Sequence, residues 1–440
     1  MSMNFKQKIH AYLSDYQQQG YLNGSLLIAD RTGIILEKSY GSSCFEFNLK
    51  NTNNTKYQIG SLTKAFTSMA ILILHHNGKL SINDTIDTYF PEYPNGANIT
   101  IYQCMTCTSG IPDFTALENF WEVTMRLSWT LDDMIELFKY LPLDFKPGTQ
   151  FAYSSSGYLL LTKIIELVSG QSYAAFLKEH IFEPLKMTNT GCANEADIIE
   201  NLAFSYSYWE KEIQTPQTNL SFPLGAYGLY STIHDLYRWD QGIRHHLLIP
   251  EQLTQLMSTP SQSSYACGWD ITTINGQTCR QHFGNISGYV SAIKQFETDE
   301  LTILFLSNLD VIPVTTITKN IAELWFGEEV PTSFPMISQV EKQPLPSLSE
   351  FVGTFLLDNL STVDIVRQQD ELFFIVPKLY GVLYKFKLRL VWLTSDTIIF
   401  KSKKINETLT FSNRESGDFQ KITYTDYDGR TQPLKKIKND

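Results

Sequence analysis

The stretch Ile59-Gly60-Ser61-Leu62-Thr63-Lys64 decides how this chain is read. A glycine precedes a serine, and a lysine follows three residues later. An apolar, helix-forming run continues through Ala65-Phe66-Thr67-Ser68-Met69-Ala70-Ile71-Leu72-Ile73-Leu74. A helix that begins near Ser61 puts positions 61 and 64 on one face, where their side chains meet. The serine then sits at the helix N-terminus, where free N–H groups and the positive dipole end favour a developing oxyanion. A lysine one turn on supplies a base, or a charge that lowers a neighbour's pKa. The same residues could equally be a helix cap beside a solvated lysine, so the pattern gains meaning only from the rest of the chain.

With 440 residues the chain is too long for one ordinary core, and two domains are expected. Hydrophobic residues make up 43%, enough for a sizeable core. Against 35 basic residues stand 46 acidic ones, a net charge of −11, which argues against nucleic acid or an anionic membrane as the main partner. The N-terminal ten residues are polar and carry no signal-peptide core, and no apolar run approaches transmembrane length. The six cysteines (44, 104, 107, 192, 267 and 279) are scattered and suggest no disulfide framework. A cytoplasmic, reduced protein is expected.

Outward from Ser61, residues 5–19 place Phe5, Ile9, Leu13 and Tyr16 on one side and stop at Gly20, an amphipathic helix. Residues 25–30, a turn at Arg31-Thr32-Gly33, and residues 34–40 read as a β-hairpin. Gly78 ends the Ser61 helix. Helices are expected at 131–141, 155–168, 172–180, 233–244 and 314–326, and strands at 267–273, 277–283, 288–297 and 301–307. Strands thus open and close this segment and helices fill its middle, which predicts an α+β domain: one antiparallel sheet flanked by helices. Pro331, Pro335, Pro344 and Pro346 mark residues 329–347 as a linker between a first domain, 1–328, and a second, 348–440. Past Phe351 short alternating strands at 362–367, 371–376, 381–387, 391–393, 397–401, 408–412 and 419–426 predict a small C-terminal β-barrel.

Three further stretches support the chemical reading of Ser61. In Lys146-Pro147-Gly148-Thr149-Gln150-Phe151-Ala152-Tyr153-Ser154-Ser155-Ser156-Gly157-Tyr158 a Pro-Gly turn delivers an aromatic hydroxyl to the lip of a helix. In Gln281-His282-Phe283-Gly284-Asn285 a glycine on a strand allows a ligand close to the backbone. Cys107-Thr108-Ser109-Gly110-Ile111-Pro112-Asp113 is a helix end turning into a loop. Together these motifs resemble the serine β-lactamase and penicillin-binding-protein superfamily, in its class C-like, S12-type branch of peptidases and esterases. The resemblance spans roughly residues 20–325, including Ile181-Phe-Glu-Pro-Leu-Lys-Met187 and Gly228-Leu-Tyr-Ser-Thr-Ile-His-Asp-Leu236. The segment with Phe351-Val-Gly-Thr-Phe355 resembles the lipocalin-like domain often fused to that branch.

The resemblance implies Ser61 as nucleophile, Lys64 as its activating partner and Tyr153 as general base, with a phenol pKa that the Lys64 cation must lower. It places His282 where the family's Lys-Thr-Gly lysine stands, followed by Phe283 and Gly284, and builds an oxyanion hole from the N–H groups of Ser61 and Asn285, the latter on an edge strand. Two positions depart from the pattern: Ser155 replaces the asparagine two after the tyrosine, and Cys107 replaces the histidine before Thr-Ser-Gly. The shorter serine hydroxyl is expected to hold the lysine and the substrate amide less well, through a water.

The expected function is a serine hydrolase that works through an acyl-enzyme on a peptide, with D-residues included, or on an ester, with at most weak β-lactamase activity. No metal or cofactor is expected. The partner is a small-molecule or peptide substrate, and the oligomeric state stays open. Two other readings remain: a penicillin-binding-protein-type thioesterase or peptide cyclase, and a non-catalytic scaffold or binding homologue. Cys104 and Cys107 form Cys-x-x-Cys without a second pair, so zinc is not expected. Cys107 lacks a nearby base motif for a nucleophile's role. His245 and His246 read as solvated, and neither a Gly-rich phosphate loop nor a Gly-x-Ser-x-Gly elbow occurs.

Overall fold

A computed structural model describes residues 3–18, 20–194, 197–330, 339–340, 347–357, 361–377, 382–402, 405, 407–415, 418–426 and 429–437. In chain order the elements used below are α1 (Met3–Gln18), β1 (Gly24–Asp30), β2 (Gly33–Tyr40), α2 (Thr63–His76), α3 (Ile101–Met105), α4 (Leu131–Lys139) and α5 (Ser155–Ser169). A short hairpin, β3 (Tyr206–Trp209) and β4 (Lys211–Gln214), precedes α6 (Ile233–Arg244). Then come β5 (Tyr265–Ala266), β6 (Trp269–Ile274), β7 (Gln277–Ile286), β8 (Tyr289–Phe296), β9 (Thr302–Ser307) and α7 (Val314–Trp325). The C-terminal strands are β10 (Gly353–Leu356), β11 (Thr362–Gln368), β12 (Glu371–Pro377), β13 (Leu383–Leu393), β14 (Thr397–Ser402), β15 (Thr408–Glu415), β16 (Asp418–Thr425) and β17 (Thr431–Lys436). None of the described helices is long and apolar enough to cross a membrane.

Contacts group the chain into two compact units, one holding Asn23–Ser205 and Thr215–Asn308, the other Met1–Leu22, Tyr206–Gln214 and Leu309–Asp440. The first unit is built on a seven-stranded antiparallel sheet in the order β5-β6-β7-β8-β9-β1-β2. Its two ends of chain meet at the β1–β9 pair, where Leu27 faces Leu304. This is the sheet expected from strands at both ends of the segment, because buried backbone N–H and C=O groups of β1 need a partner strand and β9 supplies it. Helix α2 lies in the core of this unit: every residue from Thr63 to Leu74 is buried. Phe66 stacks on Trp239 of α6, ring centres 4.1 Å apart. A strictly amphipathic helix would show one wet face; this one is buried all round because protein surrounds it.

In the second unit, β10 to β17 close into an eight-stranded barrel. Strand β13 closes it, pairing with β12 through residues 383–387 and with β14 through 388–393. The sequence divides this strand in two, at 387 and 391, because a bulge between Leu390 and Trp392 interrupts the alternation. Strands β10 and β17 and the hairpin β3–β4 carry too few alternating apolar residues to be read from sequence. The barrel interior is filled: Phe351 is buried against Phe400 and Phe411, at ring distances of 4.9 and 5.0 Å. Also in this unit α1 packs on α7, with Phe5 edge-on to Trp325 and Asn320 donating to the Tyr12 hydroxyl. Most of the expected linker, residues 331–338 and 341–346, lies outside the described residues.

Candidate active site

The segment before Ser61 is pinned on two sides. Tyr57 and Gln58 pair with Ser231 and Tyr230, and the Ile59 N–H donates to the Leu229 carbonyl. The Ile59 carbonyl accepts from Ser291 Oγ at 2.8 Å. Gly60 then takes φ +52°, and a Cβ added there would lie 2.6 Å from the Asn285 nitrogen. A Cβ on Gly284 would lie 2.0 Å from the Ile59 carbonyl oxygen. Two glycines therefore let the serine segment and β7 approach backbone to backbone, which no larger residue allows. The helix does not begin at Ser61: residues Gly60–Leu62 form one tight 3₁₀ turn, and the α-helix proper starts at Thr63. Ser61 keeps its place at the N-terminal end, since a 3₁₀ turn commonly leads an α-helix.

Lys64 is fully buried. Its ammonium donates to Ser61 Oγ at 3.2 Å, to Ser155 Oγ at 3.3 Å and to the Ala226 carbonyl at 3.0 Å. The Ser155 hydroxyl thus reaches the lysine directly, where a bridging water was expected. Burial lowers the Lys64 pKa from 10.5 to about 8, opposed by the negative charge of Asp113. Its Nζ also lies 4.7 Å from the centre of the Tyr153 ring and 5.4 Å from that of Tyr158. Tyr153 is partly exposed, on the loop that leads into α5. That loop is stitched to residues 107–110 by three backbone bonds, from Asp144 to Gly110, Gly148 to Thr108 and Ala152 to Cys107. The two loop motifs of the sequence are in this way one structural piece.

His282 and Asn285 lie on β7. This is an interior strand of the sheet rather than an edge strand, but β6 pairs with it only as far as Gln281. Residues 282–286 therefore present an open backbone edge on the side where β6 has ended. The His282 ring is held at both nitrogens: Nδ1 lies 2.7 Å from the Phe283 carbonyl, and Nε2 lies 3.0 Å from the Tyr265 hydroxyl. A carbonyl only accepts, so Nδ1 carries the proton and Nε2 accepts from Tyr265. Burial, then the Lys64 charge, lowers the His282 pKa to about 4, so the ring is neutral near pH 7. Burial likewise pushes Tyr265 far up, which keeps it a phenol and a donor.

Sequence reasoning missed three participants: Tyr265, the Ala226 carbonyl and Asp113, whose carboxyl accepts from the Thr115 N–H and whose pKa burial raises. Only Asp113 had a signal, as the end of the quoted 107–113 stretch. Cys107 is buried with its thiol pKa pushed up to about 11, chiefly by burial, and so is poorly suited to act as a nucleophile. His245 and His246 are exposed. Among the described residues no three His, Cys, Asp or Glu side chains gather as a metal site would require.

The fold is that of penicillin-binding proteins. An octameric penicillin-binding protein homologue from Pyrococcus abyssi superposes with a TM-score of 0.65 at 22% identity, over 98% of this chain and 100% of its own. The D-amino acid amidase of Ochrobactrum anthropi SV3 superposes with a TM-score of 0.63 at 20% identity, over 73% of this chain and 99% of its own. In sequence, Protein flp of Staphylococcus aureus (strain MRSA252) is 31% identical over 322 residues, 69% of this chain. The match spans 63% of the length of that relative. The profile of the beta-lactamase family matches residues 5–323, and the chain belongs to that family.

Proposed function

We propose that the protein is a serine hydrolase that works through an acyl-enzyme on Ser61. The observation that carries this reading is Lys64: a buried ammonium, bonded to the serine, whose three hydrogen bonds go to two hydroxyls and a carbonyl and none to a carboxylate. Burying a charge so is costly, and a fold that needed only packing would use an apolar side chain. The charged form uses three N–H donors. On losing a proton the amine keeps two and gains a lone pair, so its contact with Ser61 reverses and the hydroxyl donates to it. Ser61 Oγ then attacks the substrate carbonyl as its proton passes to Lys64, with Tyr153 beside them to share the transfer.

The carbonyl oxygen becomes an oxyanion held by the N–H groups of Ser61 and Asn285, brought together by Gly60 and Gly284. The tetrahedral centre collapses, the leaving group takes the proton, and the acyl group stays on Ser61 until water or an amine removes it. Peptides with D-residues, amides and esters are the candidate substrates, and the D-amino acid amidase among the structural neighbours supports the amide choice. Covalent labelling of the full chain with a fluorophosphonate or a fluorescent penicillin, followed by peptide mapping, tests the proposal. The adduct is expected on Ser61 and absent in Ser61→Ala, whose melting temperature should stay near native. An adduct on Cys107, or labelling that survives in Ser61→Ala, overturns it.

A further inference from the structure

Beside Ser61 the structure has a wall of rings. Phe151 and Tyr153 are each more than one-third exposed, at 38% and 37%. Both pack on buried Tyr265, Phe151 at a ring distance of 5.8 Å and Tyr153 edge-on at 5.7 Å. Tyr265 in turn packs on His282, at 5.7 Å and edge-on, and Tyr153 lies 6.2 Å from the same ring. Phe151 and Tyr153 therefore expose aromatic surface at the mouth of the site while Tyr265 anchors them from behind. Apolar surface left open on a structured ring cluster is what an apolar ligand group covers.

The polar side-chain atoms of His282 and Tyr265 are already engaged with each other and with the backbone. His282 gives its one N–H to the Phe283 carbonyl and receives the Tyr265 hydroxyl on its other nitrogen. It has no donor left for an anion, and Tyr265 has turned its hydroxyl hydrogen inward. Charges of both signs act here: Asp113 on Lys64, and on His282 the Lys64 ammonium first, with Asp270 opposing it. The Asp270 carboxylate is itself held by Gln281 Nε2 at 2.9 Å and by Ser264 Oγ at 2.5 Å.

We infer that the part of the substrate lying beside His282 is uncharged and apolar or aromatic, an amide or ester rather than a free carboxylate, and that Tyr265 sets this choice by occupying the imidazole. The inference rests on the acyl-enzyme reading of Ser61 and names the substrate class for that site. Tyr265 acts here as a positioning residue, through His282. An approaching carboxylate would have to give up water with neither an N–H nor a cation from His282 in exchange, because both ring nitrogens are already engaged.

Two matched series of thioesters test this on the full-length protein. In one the variable group is on the leaving side, as a mercaptoacetate, its methylamide and its benzylamide. In the other the same three end groups are carried on the acyl side. The expected result is a kcat/KM about tenfold or more in favour of the neutral over the carboxylate form in at least one series, with the benzylamide best. In His282→Lys that ratio should fall to parity or reverse, and in Tyr265→Phe, which frees the imidazole, it should fall part of the way. Phe151→Ala should remove the advantage of the benzylamide over the methylamide. A carboxylate form that is equal or better in both series overturns the inference, as does a ratio unmoved by both the His282 and Tyr265 substitutions. Turnover of all three forms by Ser61→Ala at the native rate is a different failure, that of the acyl-enzyme reading itself.

Discussion

Two of the buried lysines, Lys64 in the first unit and Lys385 in the second, are treated in opposite ways. Lys385, on the barrel strand β13, is paired with the Glu210 carboxylate and lies over the rings of Phe373 and Trp209, at 4.7 and 5.6 Å. Lys64 is buried with hydroxyls and a carbonyl around its nitrogen and rings on its flank. A carboxylate partner stabilises the charged form and makes a lysine a fastener. Its absence leaves the ammonium only partly compensated and brings the proton within reach of neutral pH. The first arrangement holds a hairpin on a barrel; the second is suited to moving protons.

The largest effect that separates the two is on rate. Lys64→Met should cost a factor of roughly 10³ in acylation of Ser61, within the usual range for a general base. The same substitution should raise stability by roughly 1–2 kcal/mol, since an apolar side chain replaces a poorly compensated charge. Lys385→Met should leave acylation unchanged and lower the melting temperature. Stopped-flow acylation and thermal melts of both variants measure this. If Lys64→Met melted below the native protein, the contrast between the lysines would be lost.

The next test uses pH. If neutral Lys64 receives the serine proton, kcat/KM for acylation should climb about tenfold per unit and level off near pH 8. Stability follows with a definite sign. The folded lysine has the lower pKa, so between about 8 and 10.5 the unfolded chain binds more protons and folding is favoured as pH rises. The stability gap between Lys64→Met and the native protein should therefore narrow from pH 8 to pH 10. A gap that stays constant over that window would mean that Lys64 has an ordinary pKa.

Gly60→Ala probes the close approach that serves Ser61. Its Cβ would meet the Asn285 nitrogen at 2.6 Å in a backbone with φ +52°. A loss of roughly 2–3 kcal/mol is expected from the clash and the left-handed backbone together, with acylation down by about 10² or more. A variant that melts and acylates like the native protein would remove the oxyanion hole from this place. The smallest effect should come from Glu210→Ala, which takes the partner from Lys385. The carboxylate is 39% exposed, so water replaces much of what it supplies and about 1 kcal/mol is expected, with no change in acylation.

Much of the site was legible because its residues are near one another in sequence or mark a turn. Ser61 and Lys64 are three apart on a helix start, and Pro147-Gly148 announces the loop that carries Tyr153. Gly284 announces a close approach, though not what approaches. Tyr265 and the Ala226 carbonyl carry no such mark, because a tyrosine in a strand and an alanine in a short turn look the same wherever they pack.

The sequence by itself determined the α+β architecture, with its sheet built from both ends of a segment and a barrel after it, since apolar or alternating runs bounded by turn residues mark strands whatever they pair with. It also determined the order of the motifs. Tertiary structure alone decided that Lys64 has no carboxylate among its hydrogen-bond partners, that Ser155 reaches it directly and that β7 is an interior strand with an open end. It alone decided that His282 is neutral, because burial and then the Lys64 charge lower its pKa, and both come from residues distant in the chain. Charge state depends on burial and on what faces a group in space, and neither is written in the order of residues.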